Sequence, residues 1–349
     1  NSTLTTLSGL ARIWLEPTSI PQYYPLVHTT YWLEYRLWGL SPFGYHLVNL
    51  ILHLTSCGLL FVLVRRLALP GALLVSGVFA LHPVMVESVA WVTERKNVLS
   101  MVFYLSSALV YLRWAGLGEG LKNPKPAGIK IWWMAFGLFL CALTSKSVTF
   151  SLPFALLLLV YWKRGAVRLA DIKPLVPFMI VGITYGVFTS HLEHTHVGAH
   201  GPEFQASFLD KCLIASRTPW FYLWKLAWPE RLVFIYERWD IDALQFWQWG
   251  FPVATLMLVC ALVAFRNRIG RGPLVAVLLF GGTLFPALGF ITVFPFRYSF
   301  VADHFQYHAC LGILVAVCVW LTRAVPSRIG IPAAVVVLGL YGGKTWTQA

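Results

Sequence analysis

Apolar residues in this chain come in long runs rather than alternations. Ten stretches, at 44–64, 71–90, 98–113, 130–144, 147–162, 174–190, 245–265, 274–294, 306–322 and 330–346, are almost free of charge. Most approach the about 20 residues that a helix needs to cross a hydrocarbon core, and the alternation of a membrane barrel strand is absent. The pattern predicts an all-α fold: a polytopic helical membrane protein with about ten spans. The stretches at 130–144 and 147–162 are joined only by "TSKS", which leaves room for nothing but a hairpin.

Two helices are expected outside the spans. One covers about 26–38, since Pro21, Pro25 and Pro42 forbid a single long helix there, and its aromatic, amphipathic sequence suits an interface. The other is "TPWFYLWKLAW" at 218–228, whose aromatics and single lysine suit a helix lying on or dipping into the membrane surface. The chain then divides into an extracytoplasmic loop at 1–43 with its interfacial helix, a six-span core at 44–190, a second extracytoplasmic loop at 191–243 with the Trp-rich helix, and a four-span segment at 244–349.

Charge adds an orientation. Only 12% of residues are charged, against about a quarter in soluble domains. The connections 65–70, 113–130, 163–173, 266–273 and 323–329 hold 15 of the 27 basic residues, with only Glu119 and Asp171 of opposite sign. The rest of the chain carries 12 basic and 12 acidic residues. The formal +13 thus belongs to one side, which the positive-inside rule makes cytoplasmic. The excess is topological, and no nucleic-acid partner is expected. The other side faces the periplasm of a bacterial inner membrane or the endoplasmic-reticulum lumen. With residues 1–43 on that side, at least one earlier span is expected to precede them. "NST" at Asn1–Thr3 fits the N-glycosylation pattern. The six cysteines lack paired or metal-type spacing and read as small buried hydrophobes.

On the outer side the charges gather at connections: Glu87, Glu94, Arg95 and Lys96 at one, Lys146 at the next, Arg297, Asp303 and His304 at a later one. Charge at span ends is costly unless paired or wetted, which marks functional candidates. Glu87 and Glu94, seven residues apart, share a face if helical. Lysine and arginine heads around such a cleft suit a phosphate-bearing lipid, although snorkelling anchors and surface ion pairs produce the same pattern. The loop "HLEHTHVGAH" offers His191, Glu193, His194, His196 and His200. Imidazole–carboxylate groups bind divalent metals, but this spacing matches no signature, so an ordinary loop is expected. His28, His46 and His53 read as structural. No serine-nucleophile, Walker or dinucleotide-binding pattern occurs.

The segments "QYYPLVHTTYWLEYRLWGLSPFGYHLVNLILH" (22–53), "FALHPVMVESVAWVTERKNVLS" (79–100), "LTSKSVTFSLPFALLLLVYW" (143–162), "WFYLWKLAWPERLVFIYERW" (220–239) and "RYSFVADHFQYH" (297–308) together resemble the membrane portion of the transmembrane and tetratricopeptide-repeat proteins, protein O-mannosyltransferase-like members of the C-type glycosyltransferase superfamily. The resemblance implies that superfamily's fold, with an active site on the outer side. It further implies inverting transfer of a mannose-type sugar from a polyprenyl-phosphate donor to Ser/Thr hydroxyls of proteins, with a repeat array that binds or presents acceptors. A carboxylate would act as general base, and cations would stabilise the leaving lipid phosphate. Lys146, Arg297, Arg95, Lys96 and His304 are the donor-phosphate candidates, and Asp303 and His82 the orienting ones. The superfamily's Asp motif is expected N-terminal to residue 1, leaving Glu87 and Glu94 as weak catalytic candidates. The lipid-linked sugar is a substrate, no cofactor is required, and His191, His194 and His196 are the weak metal candidates. Membrane lipids and a protein acceptor or partner subunits are the expected partners. The chain departs from the family's pattern in three places: no Asp precedes Asp171, Ser147 stands where Pro is expected, and His304 stands where Arg is expected. A protonated His304 would partly replace that Arg. Two other readings compete. One is a non-catalytic scaffold subunit. The other is a lipid or solute transporter, which requires ionisable residues near the bilayer midplane and internal repeats.

Overall fold

A computed structural model describes residues 2–118, 128–199, 201 and 204–349. Asn1, Glu119, Lys122, Lys125 and His200 lie outside them. Among the described residues every regular element is helical. Among the described residues a single helical turn (Ser2–Thr5) and two longer helices, α1 (Leu7–Leu15) and α2 (Pro25–Trp38), precede the bundle. The long apolar runs then become α3 (Pro42–Arg66), α4 (Ala72–Leu81) with the short α5 (Val86–Ala90), α6 (Arg95–Trp114), α7 (Ile129–Ser145), α8 (Leu152–Arg164) and α9 (Val176–Leu192). After α10 (Phe208–Ala227) come α11 (Gly250–Ile269), α12 (Gly272–Leu284), α13 (Cys310–Ala324) and α14 (Ser327–Gln348).

Among the described residues, four helical segments are long and apolar enough to cross a membrane alone: Pro42–Arg66, Leu169–Val197, Phe246–Ile269 and Ser327–Gln348. The bent pair Ala72–Leu81 and Pro83–Ala90 makes a fifth. Of the other expected spans, 98–113 lies in the 20-residue α6, whose first turn is polar, and the rest form apolar but shorter helices, for identifiable reasons. The 274–294 run stays α-helical only to Leu284, tightens into a 3-10 turn at Phe285–Ala287, and stops before Gly289, whose φ is +99°. The 306–322 run starts its α-helix only at Cys310, because Asp303–Gln306 forms a separate 3-10 turn. The 55° bend falls at Pro83, which has no N–H to give and pushes the preceding residue out of the helical region. His82 accordingly sits at φ −68°, ψ 125°, and its Nδ1 accepts the Val84 N–H at 3.3 Å.

The connections sort into two ends. At one, the Lys163 ammonium donates to the Leu67 carbonyl and Arg164 to the Ala115 carbonyl (2.8 Å), the Arg271 guanidinium lies against Gly165, and Thr322 against Gly71. This basic end collects the cation-rich loops. At the opposite, polar end, Tyr31 Oη donates to the Val92 carbonyl (2.6 Å) and Thr345 Oγ1 to the Leu81 carbonyl (2.7 Å). Between the ends, α6 packs against α3 and α7 and buries Val98, Met101, Leu105 and Leu112. At Gly312 a Cβ would lie 2.6 Å from the Ala276 carbonyl oxygen, so a glycine is what lets α13 approach α12 this closely. In contrast, α11 and α14 bury no side chain and present apolar surface outward, as helices facing lipid do.

The Trp-rich stretch is the second half of a longer helix than expected. Ser207 and Asp210 form a capping box that starts α10 at Phe208. Trp224 and Trp228 are exposed, but Thr218 and Tyr222 are fully buried, so this helix is half inserted into the bundle rather than lying wholly on a surface.

Candidate functional site

The polar end is organised around the first turn of α6. Two consecutive cations there, about 100° apart around the helix, do different things. Arg95 is fully buried and makes five hydrogen bonds. It reaches Asn49 Oδ1, Thr30 Oγ1 (3.3 Å), both carboxylate oxygens of Glu34 (the longer 3.2 Å) and the Tyr45 carbonyl (2.9 Å). Its guanidinium also lies 5.3 Å from the Tyr31 ring centre. All five guanidinium donors have acceptors within the protein, so the expected role of Arg95 in phosphate binding is not supported. It clamps the N-terminal segment to α3 and α6. Asn49 extends the clamp by donating to the Val89 and Trp91 carbonyls (3.1 and 3.2 Å), which fixes the outer connection.

Lys96 instead faces a group of ionisable side chains drawn from three connections. Its Nζ lies 2.8 Å from Glu94 Oε1. Asn97 Nδ2 donates to Glu94 Oε2 at 2.6 Å and to Ser88 Oγ at 3.1 Å, while its Oδ1 accepts from the Lys146 ammonium. His304 Nδ1 is 2.9 Å from Glu87 Oε1, its backbone N–H donates to Glu87 Oε2 (3.0 Å), and its Nε2 is 4.0 Å from Glu94 Oε2. Lys146 reaches Asn97 because its backbone is extended, at φ −160° and ψ 127°, between α7 and a 3-10 turn.

Of the expected site residues, Glu87, Glu94, Lys96, Lys146 and His304 therefore meet. Glu87 and Glu94 do so without sharing a helix face: Trp91 is extended (ψ 115°), which ends α5 and puts Glu94 in the following 3-10 turn. Asp303 is buried beside the group, with both oxygens accepting from Tyr236 Oη (3.0 and 2.9 Å). His82 is structural, since its Nε2 pairs with the Leu226 carbonyl at 3.0 Å and its ring packs against Tyr341. Its expected orienting role is thereby replaced by a tie between the α4 bend and α10. Arg297 is exposed at the end of a 3-10 turn and is not among the side chains that meet Glu94. His191, His194 and His196 lie on the α9 extension and a π-helical turn, and no group of three or more metal-ligating side chains forms among the described residues.

Electrostatics follow from this packing. Burial pushes the Glu94 carboxyl up, but the charges of His304, Lys96 and Lys146 outweigh it and hold it down at about 2. Burial lowers Lys146 to about 8, opposed by Glu94 and Glu87 and assisted by Lys96. Burial also raises Asp303 to about 7 despite the Tyr236 hydrogen bond, with Glu87 adding to the rise. The site thus pairs a firmly ionised carboxylate with a lysine that gives up its proton more readily than usual. Such displaced titrations mark sites where charge is bound or moved.

Several participants were hidden in the sequence. Glu34 and Arg36 are two residues apart in the sequence, yet Arg36 stacks on Trp32, 3.3 Å from its ring centre, and Glu34 binds Arg95, 61 residues away. Gln22 accepts from Lys96 (3.3 Å) and donates to Glu193 (2.7 Å), whose other oxygen accepts the Phe294 N–H (3.4 Å). A neutral Asn or Gln carries no charge signal, so nothing in the charge pattern marks Asn97 or Gln22.

Comparison with known proteins gives partial matches. Protein O-mannosyl-transferase Tmtc1 of Drosophila melanogaster is 40% identical over 92 residues, covering 26% of this chain and 11% of that protein. Human protein O-mannosyl-transferase TMTC3 is 37% identical over 103 residues, covering 29% of this chain and 11% of the relative. Human protein O-mannosyl-transferase TMTC1 is 34% identical over 141 residues, covering 38% and 15%. The matched stretches span between about a tenth and a seventh of the relatives' length. No family model and no solved structure matches the chain.

Proposed function

We propose that this chain is the membrane-embedded part of a protein O-mannosyl-transferase of the transmembrane and tetratricopeptide-repeat family, moving mannose from a polyprenyl-phosphate donor to Ser/Thr hydroxyls. The observation that carries the reading is the convergence of Lys96 and Lys146 on the Glu94–Asn97 pair, beside the His304–Glu87 pair. In the proposed mechanism the lipid phosphate enters between the two ammonium groups and exchanges with part of Glu94's hold on them. As the bond from the anomeric carbon to the phosphate oxygen breaks, negative charge grows on that oxygen, and fixed cations in a partly desolvated site stabilise it. A carboxylate takes the proton of the attacking hydroxyl, and Glu87, held by His304, is the candidate on the described chain. The similarity to named protein O-mannosyl-transferases supports the reaction class.

The same proposal gives the topology: about ten crossings in the superfamily's arrangement, with the basic end cytoplasmic and the polar end in the endoplasmic-reticulum lumen or periplasm. In a cysteine-free background, Arg328→Cys is expected to react with an impermeant maleimide only from the cytoplasmic side, and Tyr298→Cys only from the opposite side. The reverse pattern would invert the topology.

Lys146 supplies a pH signature. Its ammonium is charged below about 8 and neutral above, so donor affinity is expected to be full near pH 7 and to fall as pH rises beyond 8. An affinity flat to pH 10 would remove Lys146 from the phosphate site. The function is tested by reconstituting the full-length protein with labelled polyprenyl-phosphate mannose and a Ser/Thr-rich peptide. Donor-dependent labelling of the hydroxyls is expected. Donor binding without transfer would favour the scaffold reading, and neither binding nor transfer would overturn both the donor and the reaction.

A further inference from the structure

A second feature runs through the bundle and opens at its basic end. A cavity of about 430 Å³ runs between α3, α6, α8, α12 and α13, within the roughly 300–1,000 Å³ of small-molecule sites. Its walls are apolar, from residues such as Leu60, Leu156, Leu279 and Val315. Its inner end stops at Tyr104, Thr283 and His308, and its mouth at the basic end is bordered by Trp162, Trp320, Arg271 and Arg323. Arg271 is held in place from two sides: its guanidinium lies 5.6 Å from the Tyr161 ring centre and against Gly165, where the chain has φ +84° and no side chain intervenes. Among the described residues Asp171 is the only carboxylate in the loops of this end, and it is engaged by Arg164 and by the Arg168 backbone N–H.

From this arrangement we infer that the cavity is a site for an anionic glycerophospholipid of the leaflet at the basic end. One acyl chain fills the apolar tunnel, and the head-group phosphate rests between Arg271 and Arg323. Three observations favour this occupant over others. The lining is apolar along its length, which suits a hydrocarbon chain and offers a peptide nothing to bond. The cations sit only at the mouth, where a head group remains in contact with water, as in basic pockets between membrane helices. The two tryptophans at the rim have the amphipathic character that settles at head-group depth. The inner end of the cavity approaches the polar-end cluster, since His308 Nε2 lies 3.1 Å from Ser100 Oγ, one turn after Lys96, but the mouth and its cations lie at the other end and the assignment does not depend on the proposed transfer reaction. A polyprenyl phosphate seated on Lys96 and Lys146 would have its phosphate at the opposite end of the bundle.

The test uses the detergent-purified full-length protein and photoactivatable phosphatidylserine with a diazirine in its acyl chain, alongside the matching phosphatidylcholine. Phosphatidylserine is expected to label the segments 152–164 and 272–284, and phosphatidylcholine to label them several-fold less. The double variant Arg271→Gln/Arg323→Gln is expected to weaken phosphatidylserine labelling about 30-fold, the usual effect of two basic residues on an anionic head group. Ala276→Phe, which fills the tunnel, is expected to abolish labelling by both lipids. If either variant unfolds, competition on the wild-type protein decides: unlabelled phosphatidylserine must remove the signal and unlabelled polyprenyl phosphate must not. Labelling elsewhere, equal labelling by both head groups, or displacement by polyprenyl phosphate alone would overturn the assignment.

Discussion

Arg95→Ala is expected to destabilise the protein by about 3–5 kcal/mol, the usual cost of breaking a buried ion pair from one side. The guanidinium is fully buried, and its removal strands the Glu34 carboxylate, itself 4% exposed, with no counter-charge. Asn49, Thr30 and the Tyr45 carbonyl would each lose the hydrogen bond they share with Arg95. Thermal unfolding of the purified protein in detergent would show a lowered midpoint, and Glu34→Gln should fall in the same direction. Because the two residues are in contact, the double variant should lose less than the sum of the single ones. A midpoint within the scatter of the wild type would mean that the clamp is not holding the N-terminal segment to α3 and α6.

Lys146→Ala is expected to lower kcat/KM for mannose transfer by about 10²–10³-fold, comparable to removing one preorganised donor to a developing negative charge, about 2.7–4 kcal/mol. Its unfolding midpoint should change little, since Lys146 is half-buried and Glu94 keeps Lys96 and Asn97 as partners. This contrast with Arg95 separates the two roles: one cation supports the scaffold, the other serves the ligand. Transfer at the wild-type rate would remove Lys146 from the site.

Much of the architecture was readable from hydrophobic runs, because a helix long enough for a membrane leaves a signal of 15 or more residues that few other structures imitate. The ends of those helices were not. The 274–294 run looked continuous because Pro286 and Gly289 are too few to break a hydropathy average, yet the α-helix gives way at Pro286 and the turn stops before Gly289. The chemistry was legible in part for a different reason. A charged residue in an apolar chain stands out, so Glu87, Glu94, Lys96, Lys146 and His304 were visible as candidates. Sequence could not say which of two adjacent cations turns inward: α6 sets Arg95 and Lys96 about 100° apart, one toward Glu34 and Asn49 and the other toward Glu94 and Gln22. Nor could it reveal that Glu34 pairs across 61 residues, since long-range pairing leaves no local spacing. Asn97 and Gln22, both neutral, connect the charged groups and carry no signal by charge or hydropathy.

The central claim is that the Glu94–Lys96–Lys146 group receives the phosphate of a lipid-linked sugar. It is tested most directly by measuring equilibrium binding of polyprenyl-phosphate mannose to the purified wild-type protein and to Lys146→Ala, side by side at pH 7. Saturable binding by the wild type is expected, with at least tenfold weaker binding by the variant and both proteins equally folded. Equal affinity in the two proteins would contradict the claim.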